Sequence, residues 1–139
     1  MSTPRRAELF TDEKIVESVS NPAAISSTST LCLMTMDGDY FVEKFEVEMP
    51  GGYTANDSAY YTIALVSVGS NLTLASATLQ TTAQTGGLGN LTDAVFITVP
   101  LTTTFSGTQG DQVNVVLTKT SSGANIPAGS RFVMHARQL

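Results

Sequence analysis

The chain has 139 residues, a net charge of −5 and a pI near 4.6, and 14% of its residues are charged, against about 25% in ordinary domains. This length suits one domain, and the acidic balance argues against nucleic acid as a partner, because nucleic-acid-binding surfaces are basic. No apolar run is long enough to cross a membrane and no secretory signal is evident, so we expect neither a membrane partner nor export, and synthesis in a cytoplasm.

Residues 1–28 differ from the rest of the chain, because charged residues alternate irregularly there with isolated apolar ones. Glu13 to Val19 could form one or two helical turns with Thr11 as N-cap, stopped at Asn21-Pro22. A helix this short is not stable alone. The sequence therefore predicts an N-terminal arm over residues 1–28, extended or a short helix, that docks on a neighbouring molecule; packing on its own domain is the alternative. Its candidate assembly contacts are Arg5, Arg6, Leu9, Phe10, Ile15 and Val16.

From residue 29 the pattern is strand, turn, strand. Thr30 to Met36 is a dense apolar run, in which we expect Cys32 to pack as an inert core residue. Asp37-Gly38-Asp39 predicts a hairpin-type turn. Tyr40 to Met49 is the clearest strand, and Glu43 breaks its alternation by falling on the apolar face. That face is predicted to hold Phe41, Phe45, Val47 and Met49, with Lys44, Glu46 and Glu48 on the opposite face.

Five further strands are indicated, at residues 59–67, 72–79, 92–99, 111–120 and 129–138, with a glycine-rich loop at residues 80–90. Turn signals every eight to twelve residues are typical of a β-sandwich or jelly roll. We therefore predict an all-β domain over residues 29–139, an antiparallel sandwich or jelly roll of seven or eight strands. The residues expected to point inward are Tyr61, Ile63, Leu65, Val113, Val115, Leu117, Phe132, Met134 and Ala136.

Candidates for catalysis are few. His135 is the single histidine and lies between Arg131 and Arg137 on one strand face, where two cations oppose its use as a base. Asp37-x-Asp39 lacks the rest of a calcium loop, and Glu46 and Glu48 fit a solvated strand face better than a glycosidase pair. We expect no enzyme, no cofactor and no metal site.

The C-terminal half resembles a known group of proteins. A strand opens with Gly110-Asp111-Gln112-Val113-Asn114-Val115, a polar loop follows, and Ile126-Pro127-Ala128-Gly129 leads into the last strand. This layout, with the alternating strands at residues 40–49 and 59–67, resembles small β-sandwich virion proteins of tailed bacteriophages, including capsid decoration (cement) proteins, over residues 30–138. The resemblance implies a symmetric homo-oligomer, with a trimer favoured, on the outer surface of a capsid.

Three functions follow as expectations. The first is a decoration protein of the virion, made in the host cytoplasm, that binds the major capsid protein and stabilises the lattice through many copies. The second is a fibre or tail-associated recognition module for carbohydrate or a receptor, with its ligand on Tyr53, Tyr60 and Tyr61 or in the 80–90 loop. A hydrolase is the third and the weakest.

Overall fold

The computed structural model describes residues 14–103, 110–120 and 125–138, and these contain eight strands and no helix. The strands form two four-stranded antiparallel sheets. Their bounds are β1 (Lys14–Ser20), β2 (Ser29–Thr35), β3 (Tyr40–Glu48), β4 (Tyr60–Ser67), β5 (Leu72–Thr78), β6 (Ile97–Val99), β7 (Gln112–Thr120) and β8 (Arg131–Gln138).

The order of the strands identifies the topology. The first sheet runs β1-β8-β3-β6 and the second runs β2-β7-β4-β5. Antiparallel pairs therefore join the first strand to the last, the second to the seventh, the third to the sixth and the fourth to the fifth. This is the pairing of a double-sheet jelly roll, and the predicted all-β sandwich is confirmed.

The core lies between the two sheets, where period-two alternation brings one face of each strand inward. Every residue that the sequence predicted to point inward from β4, β7 and β8 is buried, and most are fully so. Burying side chains of this size contributes about 1.5–3 kcal/mol each before the entropy of ordering is subtracted. The largest of them are Tyr61, Phe45, Phe132, Met36, Met49, Ile63, Leu65, Leu74, Leu79, Leu117, Ile126 and Met134.

Residues 14–20 form a strand, so the suggestion of helical turns beginning at Glu13 is wrong for this segment. β1 pairs with β8 over its whole length, from Lys14 opposite Arg137 to Ser20 opposite Arg131. Ile15 and Val19 pack partly buried on the core, and Val16 is 60% exposed on the opposite face. The pairing supplies the backbone hydrogen bonds that an isolated helix this short could not keep. The other predicted contacts, Arg5, Arg6, Leu9 and Phe10, lie outside the described residues, so docking of the arm stays a prediction.

β3 contains an irregularity that explains why Glu43 interrupts the alternation of apolar residues. The register with β8 shifts between Val42 and Lys44, so Glu43 is the extra residue of a β-bulge. Before the bulge Val42 points inward, and after it Phe45 and Val47 do. The prediction that Phe41 shares the buried face is therefore wrong. Phe41 lies on the outer face, where the centroid of its ring is 5.6 Å from the Arg137 guanidinium.

Two connections also differ from prediction. Asp37-Gly38-Asp39 is not a hairpin turn, because β2 pairs with β7 and β3 pairs with β8 and β6. The segment carries the chain from one sheet to the other. The strand predicted at residues 92–99 is reduced to Ile97–Val99, because a turn precedes it in which Ala94 takes a φ of 58°. Val95 and Phe96, next to this turn, are exposed.

The turn between β4 and β5 is fixed by Asp111, which immediately precedes β7 and is 6% exposed. Its carboxylate accepts hydrogen bonds from the Gly69 backbone N–H at 2.6 Å, from Ser70 Oγ at 3.0 Å and from Ser67 Oγ. Burial alone would raise the pKa of Asp111, but these hydrogen bonds to the charged form outweigh it and hold the pKa below its usual value. A side chain added at Gly69 would lie 2.6 Å from the carboxylate, so glycine is required for this approach.

Cys32 is exposed on β2, and the prediction of an inert core cysteine is wrong. The register of β2 with β7 shifts between Cys32 and Met34, which leaves Cys32 opposite Asn114 on the outer face. Its Sγ accepts a hydrogen bond from Gln112 Nε2 at 3.0 Å. An unbroken apolar run such as residues 31–34 carries no alternation from which the outward residue can be identified.

We therefore expect Cys32 to react fully with a thiol reagent in the native protein, since its sulfur is accessible to solvent. The measurement is titration with Ellman's reagent in the absence and presence of denaturant. The chain has one cysteine, so Cys32→Ser must give no signal. A thiol that reacts only after denaturation would contradict this exposure.

Candidate assembly surfaces

The outer face of the first sheet is rich in charge, and we call it the charged face. Two ion pairs lie on it, Lys14 Nζ to Glu43 Oε1 at 3.7 Å and Lys44 Nζ to Glu46 Oε2 at 3.2 Å. His135 Nε2 and Glu46 Oε1 form a hydrogen bond beside them at 2.8 Å. Exposed pairs of this kind contribute about 0–1 kcal/mol each. Such charges contribute more to binding specificity than to stability, because a partner surface must carry a complementary pattern of charge.

Glu46 is the centre of this pattern. It contacts both Lys44 and His135, and its side chain is 17% exposed. Burial raises the pKa of Glu46, whereas the hydrogen bonds with His135 and Lys44 lower it by more, so the net direction is down. The sequence placed His135 on a solvated face, and the structure places it there, at 36% side-chain exposure.

The outer face of the second sheet carries no charged side chain over the described residues of its four strands, and we call it the uncharged face. It consists of hydroxyl, amide and small apolar groups. Charged residues are depleted at the centre of protein interfaces, so this composition favours contact with another protein. Its members are Thr30, Cys32, Thr62, Ala64, Val66, Thr73, Ser76, Thr78, Gln112, Asn114, Val116 and Thr118.

A groove opens where the two sheets meet along their edge strands β1 and β2, and we call it the edge groove. Its volume is about 310 Å³. β1 contributes Ile15 and Glu17, β2 contributes Met34, and the end of the groove is formed by Asp37, Tyr40 and Gln138. Apolar side chains thus lie beside two carboxylates in a space open to solvent.

Glu17 is unusual in this position. It is half-buried on the inward side of β1, between Ile15 and Val19, and its partner in the register is the fully buried Met134. Among the described residues it makes no hydrogen bond or ion pair. Sequence reasoning missed it, although the signal was present: alternation over residues 15–19 assigns an acid to an apolar face.

The tyrosines predicted to bind a ligand in a recognition module are largely buried. Tyr61 is fully buried and Tyr53 is 8% exposed, so neither ring is open for stacking on a sugar. Tyr60 is half-buried. The 80–90 loop is fastened by Asp57, whose carboxylate accepts hydrogen bonds from the Thr81 backbone N–H and Oγ1, each at 2.8 Å. The predicted aromatic ligand site is therefore wrong for Tyr53 and Tyr61.

Among the described residues, no three His, Cys, Asp or Glu side chains lie close enough together to hold a metal ion. The same part of the chain contains no helix long and apolar enough to cross a membrane.

No protein-family model matches the chain, and no curated protein matches it. Among solved structures, a chain of the cyanophage Pam1 capsid asymmetric unit aligns with 94% of this chain and 88% of its own length, at a TM-score of 0.52 and 16% identity. The two chains share a fold. The alignment covers nearly all of both chains.

A second match is more distant. It is to the D431N mutant VP2 protein of infectious bursal disease virus, in derived T=1 particles, with a TM-score of 0.35 and 13% identity. It covers 92% of this chain and 32% of that one. Similarity at this level adds no support to an assignment.

Proposed function

We propose that the protein is a virion structural protein that binds the outer surface of a capsid and stabilises its lattice, with no catalytic role. The observation that carries the proposal is the fold shared, over 94% of this chain, with a chain of a capsid asymmetric unit. The match in length favours a small accessory chain of one sandwich. The layout of the C-terminal strands, which resembles decoration proteins, supports the same reading.

The uncharged face is the surface that we propose to contact the major capsid protein. A sheet face of hydroxyls, amides and small side chains can be desolvated at little cost, because its hydrogen-bonding groups can pair across the interface and no charge must be buried. The charged face would then point away from the lattice. Low affinity per copy is sufficient, since oligomers bind several sites at once.

The test is co-sedimentation of purified protein with capsids that lack it, followed by thermal melting of the particles. We expect saturable binding and a higher melting temperature of the capsid. Unchanged melting together with no co-sedimentation would contradict the proposal.

Two variants locate the contact. Ala64 lies in the middle of the uncharged face, between Val116 and Ser76 in the register, and Ala64→Lys places a charge there. We expect it to weaken capsid binding at least tenfold, equivalent to about 1.4 kcal/mol or more. Thr98→Lys on the charged face, opposite Glu46, is the matched control and should bind normally. Equal binding by both variants would exclude the uncharged face.

A further inference from the structure

The edge groove presents negative charge that the described residues leave uncompensated. Glu17 points into it from β1, and Asp37 lies at its end, where its carboxylate accepts a hydrogen bond from the Tyr40 hydroxyl. Neither acid forms an ion pair with a described residue, and the groove is lined by no Lys, Arg or His. A half-buried carboxylate is costly without a partner, so the groove favours a cationic occupant with an apolar side.

The chain itself contains a segment of that chemistry. Residues 1–6 include Arg5 and Arg6 and no acid, whereas the whole chain has a net charge of −5. Leu9 and Phe10 follow a few residues later. Arginine pairs with carboxylates through two parallel hydrogen bonds. Leu9 and Phe10 are apolar, as are Ile15 and Met34 on the groove wall.

We propose that the edge groove binds the N-terminal segment of a second copy of this chain, with Arg5 and Arg6 on Glu17 and Asp37. Thirteen residues precede Lys14 and span at most about 45 Å when extended, which reaches a neighbouring domain. β1 begins beside the groove. The segment that precedes β1 in one copy can therefore enter the groove of a second copy while that copy's segment enters the first groove, as in an exchange of identical elements between protomers.

Two features favour a neighbour over the same molecule. Residues 7–13 contain no glycine, proline, asparagine or serine, and Asp12 is the single residue there of a type that favours tight turns. A return into the adjacent groove would also bring Asp12 and Glu13 towards Glu17 and Asp37, which like charge disfavours.

The test uses purified full-length protein without capsids, so its result is independent of capsid binding. Sedimentation velocity over a concentration series should show that wild type self-associates. Arg5→Glu/Arg6→Glu and, separately, Glu17→Arg/Asp37→Arg should each weaken this association about tenfold or more. Glu48→Arg, on the charged face, is the matched control and should associate as wild type does. Circular dichroism verifies that each variant is folded.

Mixing the two double variants decides between a neighbour and the same molecule. Each arm then meets a groove of opposite charge only on the other variant, so the mixture should associate as wild type does. A monomeric wild type, an Arg5→Glu/Arg6→Glu variant that associates normally, or a mixture that stays dissociated would each overturn the proposal. The arm variant alters residues outside the described part of the chain, and its result tests the proposal even if the groove variant fails to fold.

Discussion

Replacing Phe45 with alanine is expected to lower the free energy of unfolding by about 3–5 kcal/mol, the range for removing a buried aromatic ring and leaving a cavity. Phe45 is fully buried on β3, opposite Met134 of β8 and Val99 of β6. The loss is a large fraction of the stability of a domain this size. Urea denaturation monitored by circular dichroism measures it as a lower midpoint at an unchanged slope.

Phe41→Ala is the matched control, since it removes the same ring from the same strand. The bulge at Glu43 puts Phe41 on the outer face, where it contacts Arg137. We expect a loss of about 1 kcal/mol, mainly the contact between cation and ring. Losses of equal size for the two variants would show that the bulge is misplaced.

Asp111→Asn is expected to cost about 2–3 kcal/mol at neutral pH. The carboxylate accepts hydrogen bonds from Ser67, Gly69 and Ser70, and bonds to a charged acceptor are the stronger kind. An amide of the same shape can accept through one oxygen only, so at least one buried donor is left unpaired. Asp39→Asn, which alters an exposed acid in another turn, should leave the urea midpoint unchanged.

The effect of Asp111 depends on pH in one direction. Its folded-state pKa is depressed, so its stabilisation is complete above the unfolded value of about 3.9 and is lost as the pH falls through the folded value. The difference in stability between wild type and Asp111→Asn should therefore narrow below about pH 4. A difference that stays constant down to pH 2 would contradict the assignment.

Local alternation was enough to predict the fold class and much of the core. Tyr61, Ile63 and Leu65 follow strict period two on β4, as Val113 and Val115 do on β7, and all are fully buried. The same rule failed where the strand was irregular. Phe41 was misplaced because the bulge at Glu43 reverses the alternation, and an extra residue becomes evident only once β3 is paired with β8.

The pairing of strands that are distant in the chain could not be predicted from the sequence either. β1 takes its strand conformation from β8, more than a hundred residues away, and residues 14–20 in isolation fit a short helix as well as a strand. The edge groove could not be predicted from the sequence for the same reason. Glu17 and Asp37 line the same groove only because β1 and β2 are edge strands of the two facing sheets. Arg5, Arg6, Leu9 and Phe10 lie outside the described residues. Their role as assembly contacts therefore stays a prediction.

The pairing of the first strand with the last has a consequence during synthesis on the ribosome. β8 lies between β1 and β3 in the first sheet, so β1 has no partner until β8 has emerged, more than a hundred residues later. High contact order of this kind makes folding slow, and unpaired strand edges are prone to aggregation meanwhile. Of the pairs, only β4 with β5 joins strands consecutive in the chain. That hairpin closes the shortest loop of the described pairs, so we expect it to form before the pairing of β1 with β8.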